Sequence, residues 1–183
     1  TAKRVRTETT VASNAVSVSY AAVELAKYIF EDLSKQSVIV VGSGEMAELA
    51  VRHLIRNGIS QLFVTNRTFL SAAKLAEKFQ GLAVPFDQLE RHLHRGDIII
   101  SSTGSREFII TPEMVKNCLR RRRGNSMFFI DIAVPRDIDP EINKLDGVFC
   151  YNIDDLQTLV SQNQDERKKQ CVKAEEIIEN ELL

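Results

Sequence analysis

With 183 residues the chain can bury one good core and a helical arm, but not two full domains. Its 24 basic residues nearly balance 25 acidic ones, and 44% of residues are hydrophobic, a globular composition whose net charge gives no reason to expect a nucleic acid or an anionic membrane. No apolar run approaches membrane-spanning length and no charged-then-apolar leader opens the chain, while Cys118, Cys150 and Cys171 are too few and too far apart for a disulfide framework or a zinc site.

These traits fit a reducing, cytoplasmic setting without a membrane, and the start at Thr1 without a methionine suggests a processed or truncated chain. Residues 1 to 13 are polar, carry Lys3, Arg4, Arg6 and Glu8, and read as an extended lead-in. From Val16 to Leu33 the apolar positions Ala22, Leu25, Ala26, Ile29, Phe30 and Leu33 recur at helical spacing, which predicts an amphipathic helix. A β-branched strand, Val38 to Val41, then empties into Gly42-Ser43-Gly44, and a helix starts at Glu45 with Ala47 in the third small position.

In such a strand, turn and helix start, the first glycine allows a sharp turn and the second lets a diphosphate approach the backbone. The small third residue lets the helix sit close to the strand. The helix N-terminus then offers N–H groups and a partial positive charge to the phosphates. A merely structural glycine turn is the alternative.

Asn57-Gly58 closes this helix, and Gln61 to Thr65 reads as the second strand. A helix follows with Phe69, Ala72, Ala73, Leu75, Ala76 and Phe79 inward, ending at Gly81. Leu82 to Val84 is a short third strand, Asp87 to His94 a small helix, and Asp97 to Ser101 a continuous apolar strand expected to be buried on both faces. Thr111 and Pro112 place a cap and a first-turn proline at the start of another helix. Met127 to Ile132 and Gly147 to Tyr151 are the fifth and sixth strands, and Asp154 to Leu183 a long polar helix. Alternating strands and helices imply an α/β, Rossmann-like doubly wound and mostly parallel sheet ordered 3-2-1-4-5-6, with an N-terminal and a long C-terminal helix.

The end of the second strand discriminates between cofactors. A dinucleotide with an unphosphorylated ribose calls for Asp or Glu about twenty residues past the glycines, and Gln61 to Ala76 contains neither. Asn66-Arg67-Thr68 stands there instead, a guanidinium with short polar side chains that suits a 2′-phosphate, so NADPH is expected over NADH. A solvated turn is the alternative for Arg67. The fourth and fifth strands should end near the nicotinamide, with Ser102, Thr103 and Gly104 along the cofactor path. The segment from Asp131 to Pro135, including Ile132, Val134 and Pro135, would flank the nicotinamide end, and tight packing at a strand terminus accounts equally well for each of these residues. The candidate cofactor-binding residues are thus Gly42, Ser43, Gly44, Glu45, Met46, Ala47, Asn66, Arg67 and Thr68, together with Ser102, Thr103, Gly104, Ile132, Val134 and Pro135.

No catalytic residue or metal ligand is expected. Cys118 belongs on an inner helix face and Cys150 in a strand, without a neighbouring histidine to activate either thiol. His53 is expected on a helix surface, and His92 and His94 are poorly spaced for one metal. Arg120 to Arg123 suit a solvated helix end, with RNA phosphates as the alternative contact.

Several strings together resemble glutamyl-tRNA reductase: KRVRTET (Lys3 to Thr9), AVSVSYAAVELA (Ala15 to Ala26), VGSGEMAELA (Val41 to Ala50), NRT (Asn66 to Thr68), SSTGS (Ser101 to Ser105), DIAVPRDIDPE (Asp131 to Glu141) and YNIDDL (Tyr151 to Leu156). The resemblance implies an enzyme in which a cysteine attacks glutamyl-tRNA and the resulting thioester is reduced by NADPH to glutamate-1-semialdehyde, for tetrapyrrole synthesis. That cysteine lies in a Ser-Cys-Asn-Arg string, which this sequence lacks, so the chain alone is expected to be inactive. Ser43 stands where alanine is commoner in that family.

The resemblance divides the chain into the end of a catalytic domain and linking helix (1–34), an NADPH-binding domain (35–153) and the start of a long connecting helix (154–183). It implies a homodimer for the full-length enzyme and possible contact with the aminomutase that uses its product. The alternatives are a shikimate-dehydrogenase-like NADP oxidoreductase domain and a non-enzymatic dinucleotide- or RNA-binding module.

Overall fold

The structure, a computed structural model, describes residues 10–158. Helix α1 (Thr10–Phe30) leads through a short 3-10 turn (Leu33–Lys35) into β1 (Ser37–Val41). Then come α2 (Glu45–Arg56), β2 (Gln61–Asn66), α3 (Phe69–Lys78), β3 (Leu82–Pro85), the short α4 (Leu89–His92), β4 (Ile98–Ser101), α5 (Pro112–Arg122), β5 (Met127–Asp131) and β6 (Val148–Asn152). Residues 153–158 are helical. Residues 1–9 of the expected lead-in, and 159–183 of the expected terminal helix, Cys171 among them, lie outside the described residues.

All six strands run parallel in the order β3-β2-β1-β4-β5-β6, as the alternation of elements predicts. Period-2 alternation divides the strand residues between two cores. Val38, Val40, Val64, Ile98, Ile100, Phe128 and Ile130 face α1, α2 and α3, where Ala22, Ala26, Ala50, Leu54, Ala72 and Leu75 meet them. Ile39, Val41, Phe63, Ile99, Met127 and Phe129 face the other way, toward Leu89, Leu93, Val115 and Cys118. Each such aliphatic or aromatic side chain contributes about 1.5–3 kcal/mol on leaving water. The register aligns Val41 with Thr65 and Ser101, and Ser101 with Asp131, so the carboxyl ends of the four central strands open on one edge.

Three local expectations are corrected. Residues 10–13 belong to α1 rather than to an extended lead-in, since no glycine or proline precedes Gly42 to stop a helix propagating toward the N-terminus. The same helix stops at Phe30, where Glu31 takes a positive φ of 56°, and Leu33 is buried from the following turn. Phe69, assigned inward, is 50% exposed, because it opens α3 beyond the strand ends while Ala72, Leu75 and Ala76 make the contact face. His53 is partly exposed on the surface of α2, its ring 5.9 Å edge-on from Tyr20 where α1 crosses α2.

The arginine run is corrected at one position. Arg120, Arg121 and Arg123 are exposed, but the Arg122 side chain is only 7% exposed and pairs with Asp97 at 2.7 Å. It also donates to the carbonyls of His94, Gly96, Asn125 and Ser126, while the other Asp97 oxygen accepts from Ser37 N at 2.8 Å. Arg122 therefore ties the ends of α5, β1 and β4 together opposite the open edge, and it is not available to a polyanion.

Candidate functional site

The β1 turn is built as the glycine spacing predicts. Gly42 has φ +108°, and a side chain there would collide with the Ser102 carbonyl oxygen. Its N–H donates to Thr65 O and Ser102 N donates to Val41 O, each at 2.8 Å, so the turn is pinned between β2 and β4. Gly44 caps α2 with an ordinary φ of −77° and no side-chain cap bond, and a Cβ there would meet nothing within 4 Å. Gly42 is needed by the fold, whereas the missing side chain of Gly44 leaves open space at a helix N-terminus. Such a cradle fits a diphosphate. Ala47 is fully buried against the sheet, and Met46 is half-buried in the same core with its carbonyl accepting from Ser19 Oγ at 3.5 Å. Glu45 is exposed at the start of the helix.

Ser43 and Gly44, Asn66 and Arg67, and Ser102, Thr103 and Gly104 come together around one cleft of about 410 Å³, with Phe86 and Ser105. Three separate stretches of the sequence thus converge at the open edge of the sheet. Arg67 reaches across the cleft, its Nη2 donating to Ser105 Oγ at 2.8 Å. Asn66 Nδ2 donates to Thr68 O at 3.3 Å, and Thr68 stands at the N-cap of α3. A second cleft of about 340 Å³ shares Arg67, Phe86 and Ser105 and continues to Asp87, Glu90 and Phe108. Larger clefts lie at the opposite end of β2 and β3 (about 450 Å³) and along β6 (about 740 Å³), but neither is lined by the Gly42–Gly44 turn or by the start of α2.

The Asp131–Pro135 segment does not line these clefts. Ile132 is buried in the core with its N–H on Ser101 O at 2.9 Å, Val134 is 75% exposed, and the Val134–Pro135 peptide is cis. The segment lies beside the exit of β4, next to the cleft rather than within it.

Of three residues that shape the site, Asp137 and Ser105 have no role expected from the sequence, and Asp131 only opens the segment expected at the nicotinamide end. Asp137, fully buried, accepts from Ser101 Oγ at 2.7 Å, Thr103 N at 2.8 Å and Thr103 Oγ1 at 2.5 Å, and so fixes the chain leaving β4. Asp131, also buried, accepts from Ala133 N at 3.1 Å and Ile138 N at 2.9 Å. Burial, reinforced by the Asp137 charge, pushes its carboxyl up to about 6 against the opposing pull of those N–H groups. Ser105 is the third. The available signal was a pair of aspartates six residues apart in an apolar segment with turn chemistry, where the side chains must serve backbone donors.

Cys118 and Cys150 are held as thiols, burial pushing them up to about 11 and about 12, and neither lines the cleft. His92 Nδ1 lies 3.0 Å from Gln88 O, and the buried His94 Nδ1 has no partner. Among the described residues no group of three or more His, Cys, Asp or Glu could hold a metal ion, and no helix is long and apolar enough to cross a membrane.

The profile of the shikimate / quinate 5-dehydrogenase family matches residues 24–159. The glutamyl-tRNA reductase of Geotalea uraniireducens is 55% identical over 181 residues, covering 99% of this chain and 42% of the relative. The solved glutamyl-tRNA reductase of Methanopyrus kandleri is 38% identical with a TM-score of 0.82, covering 98% of this chain and 45% of that one. The nucleotide binding domain of glutamyl-tRNA reductase from Thermoplasma volcanium shares the fold at 16% identity and TM-score 0.64, covering 82% of this chain and 96% of that one. The chain therefore spans about two fifths of the length of the curated relatives it matches.

Proposed function

The chain belongs to the shikimate / quinate 5-dehydrogenase family, with glutamyl-tRNA reductases among its relatives at 55% identity, and from that premise we propose that it is the NADPH-binding part of a glutamyl-tRNA reductase. The single observation that carries the cofactor reading is the placement of Arg67 across one cleft from the Gly44 helix start. The α2 N–H groups would take the diphosphate and the Arg67 guanidinium the 2′-phosphate. Ser102, Thr103 and Gly104 would lie along the path toward the nicotinamide, with the Asp131–Pro135 segment at its end. The bound NADPH supplies a hydride, and this chain's part is to grip the coenzyme and present it. Agreement over 99% of the chain, α1 included, favours the glutamyl-tRNA reductase branch over a shikimate-reducing enzyme.

In the whole protein the hydride would reduce a glutamyl thioester, formed from glutamyl-tRNA on a cysteine outside this chain, to glutamate-1-semialdehyde. Residues 1–34 would then end the catalytic domain and 154–183 begin the connecting helix through which a cytoplasmic homodimer forms. Contact with the aminomutase that receives the product completes the proposal.

Fluorescence titration tests the cofactor half: saturable NADPH binding that Gly44→Ala abolishes supports it, and undisturbed binding in that variant opposes it. For the substrate half, semialdehyde should form from glutamyl-tRNA with the full-length protein and not with these 183 residues. Turnover by the 183-residue chain alone would refute the division of labour.

A further inference from the structure

Arg67 is an exposed residue on a turn, and a free side chain of its length gives up about 2 kcal/mol of rotamer entropy when a ligand fixes it. It is already held. Its Nη2 donates to Ser105 Oγ at 2.8 Å, and Ser105 is only 3% exposed. Ser105 is anchored in turn from beneath: its N–H donates to Thr103 Oγ1 at 3.1 Å, and Thr103 is bound through N–H and hydroxyl to the fully buried Asp137. Among the described residues no carboxylate competes for Arg67, although Asp87, Glu90 and Glu107 line the adjoining cleft.

The hydroxyl of Ser105 also has an uneven set of partners. Its oxygen accepts from both Arg67 Nη2 and Glu107 N, the latter at 3.3 Å, which occupies its two lone pairs. Its own proton has no acceptor among the described residues. A donor hydroxyl beside a guanidinium with unused N–H groups presents a surface made only of donors. A phosphoryl group, with three acceptor oxygens and negative charge, matches it better than a ribose hydroxyl, whose own proton would find no acceptor there.

We propose that Ser105 is a specificity-determining residue of this site: its hydroxyl pre-positions Arg67 and donates to the same 2′-phosphate, so that the preference for the phosphorylated coenzyme belongs to the pair. This rests on the reading of Arg67 as the 2′-phosphate ligand, and it places part of that selectivity on β4's exit loop as well as on β2.

Titration calorimetry on the 183-residue chain, with NADPH, NADH and adenosine 2′,5′-bisphosphate, tests the pairing. Ser105→Ala should weaken NADPH and the bisphosphate about tenfold, the value of one hydrogen bond to a charged group, and NADH less than about twofold. In the double variant with Arg67→Ala the two losses should fall short of additive. Ser105→Cys, which keeps the volume with a weak donor, should follow Ser105→Ala, whereas Ser105→Thr should keep the preference. Equal weakening of both coenzymes, no weakening of either, or full additivity would overturn the role of Ser105. If instead Arg67→Ala leaves the ratio of NADPH to NADH affinity unchanged, the underlying assignment of Arg67 fails, whatever Ser105 does.

Discussion

A methyl group at Gly42 would strike the Ser102 carbonyl and would have to adopt a φ of +108°, whereas at Gly44 it would enter empty space at an ordinary backbone angle. The two glycines of one motif therefore serve different ends, and alanine separates them. Gly42→Ala should cost about 3 kcal/mol or more in urea unfolding, from strain and backbone collision together. Gly44→Ala should change stability by less than about 1 kcal/mol yet abolish coenzyme binding in a fluorescence titration. A second residue-scale test concerns Thr65, whose buried Oγ1 has no hydrogen-bond partner. Thr65→Val keeps the shape and removes an unsatisfied group, so it should raise stability by about 1 kcal/mol. That Gly42 makes the turn and that Gly44 and Arg67 meet at one cleft was legible in the sequence, because both follow from local backbone geometry and the order of the strands. Ser105 and Asp137 were not, because a hydroxyl or carboxylate that serves a loop is defined by the path of that loop.

Strands read well at the scale of elements, since unbroken β-branched runs such as Val38 to Val41 can only be satisfied with both faces covered, and both are. Helix ends read less well. The polar start of α1 hid four helical residues, and a charged string at the end of α5 looked uniformly solvated while concealing the Arg122 clamp. Periodicity detects apolar faces, not a single cation turned inward onto carbonyl groups. Arg122→Met should destabilise the chain by about 3 kcal/mol in chemical denaturation, because Asp97 is left without its cation and four carbonyls lose their donor. Arg120→Ala and Arg121→Ala should stay within about 0.5 kcal/mol of the parent. Comparable losses at all three positions would deny Arg122 its special place.

For the whole molecule, the alternation of elements dictated the sheet order, and the sheet order placed the ends of β1, β2 and β4 around one cleft. Stability as a function of pH is a property at the same scale. The Asp131 carboxyl rises from 3.8 to about 6 on folding, so the folded chain holds that proton more tightly than the unfolded one. Its contribution is complete below pH 3.8 and is lost as the pH rises through 6, amounting to about 3 kcal/mol. Between pH 7 and pH 4 the stability of the parent relative to Asp131→Asn should therefore shift in the parent's favour by up to that amount, and a constant difference would show that Asp131 is ionised throughout. The cleft must distinguish two coenzymes that differ by one phosphoryl group. Calorimetry of NADPH and NADH against the parent and Arg67→Ala should show NADPH bound at least about tenfold more tightly by the parent and the two nearly equal in the variant. Equal affinities in the parent, or no binding of either coenzyme, would contradict it.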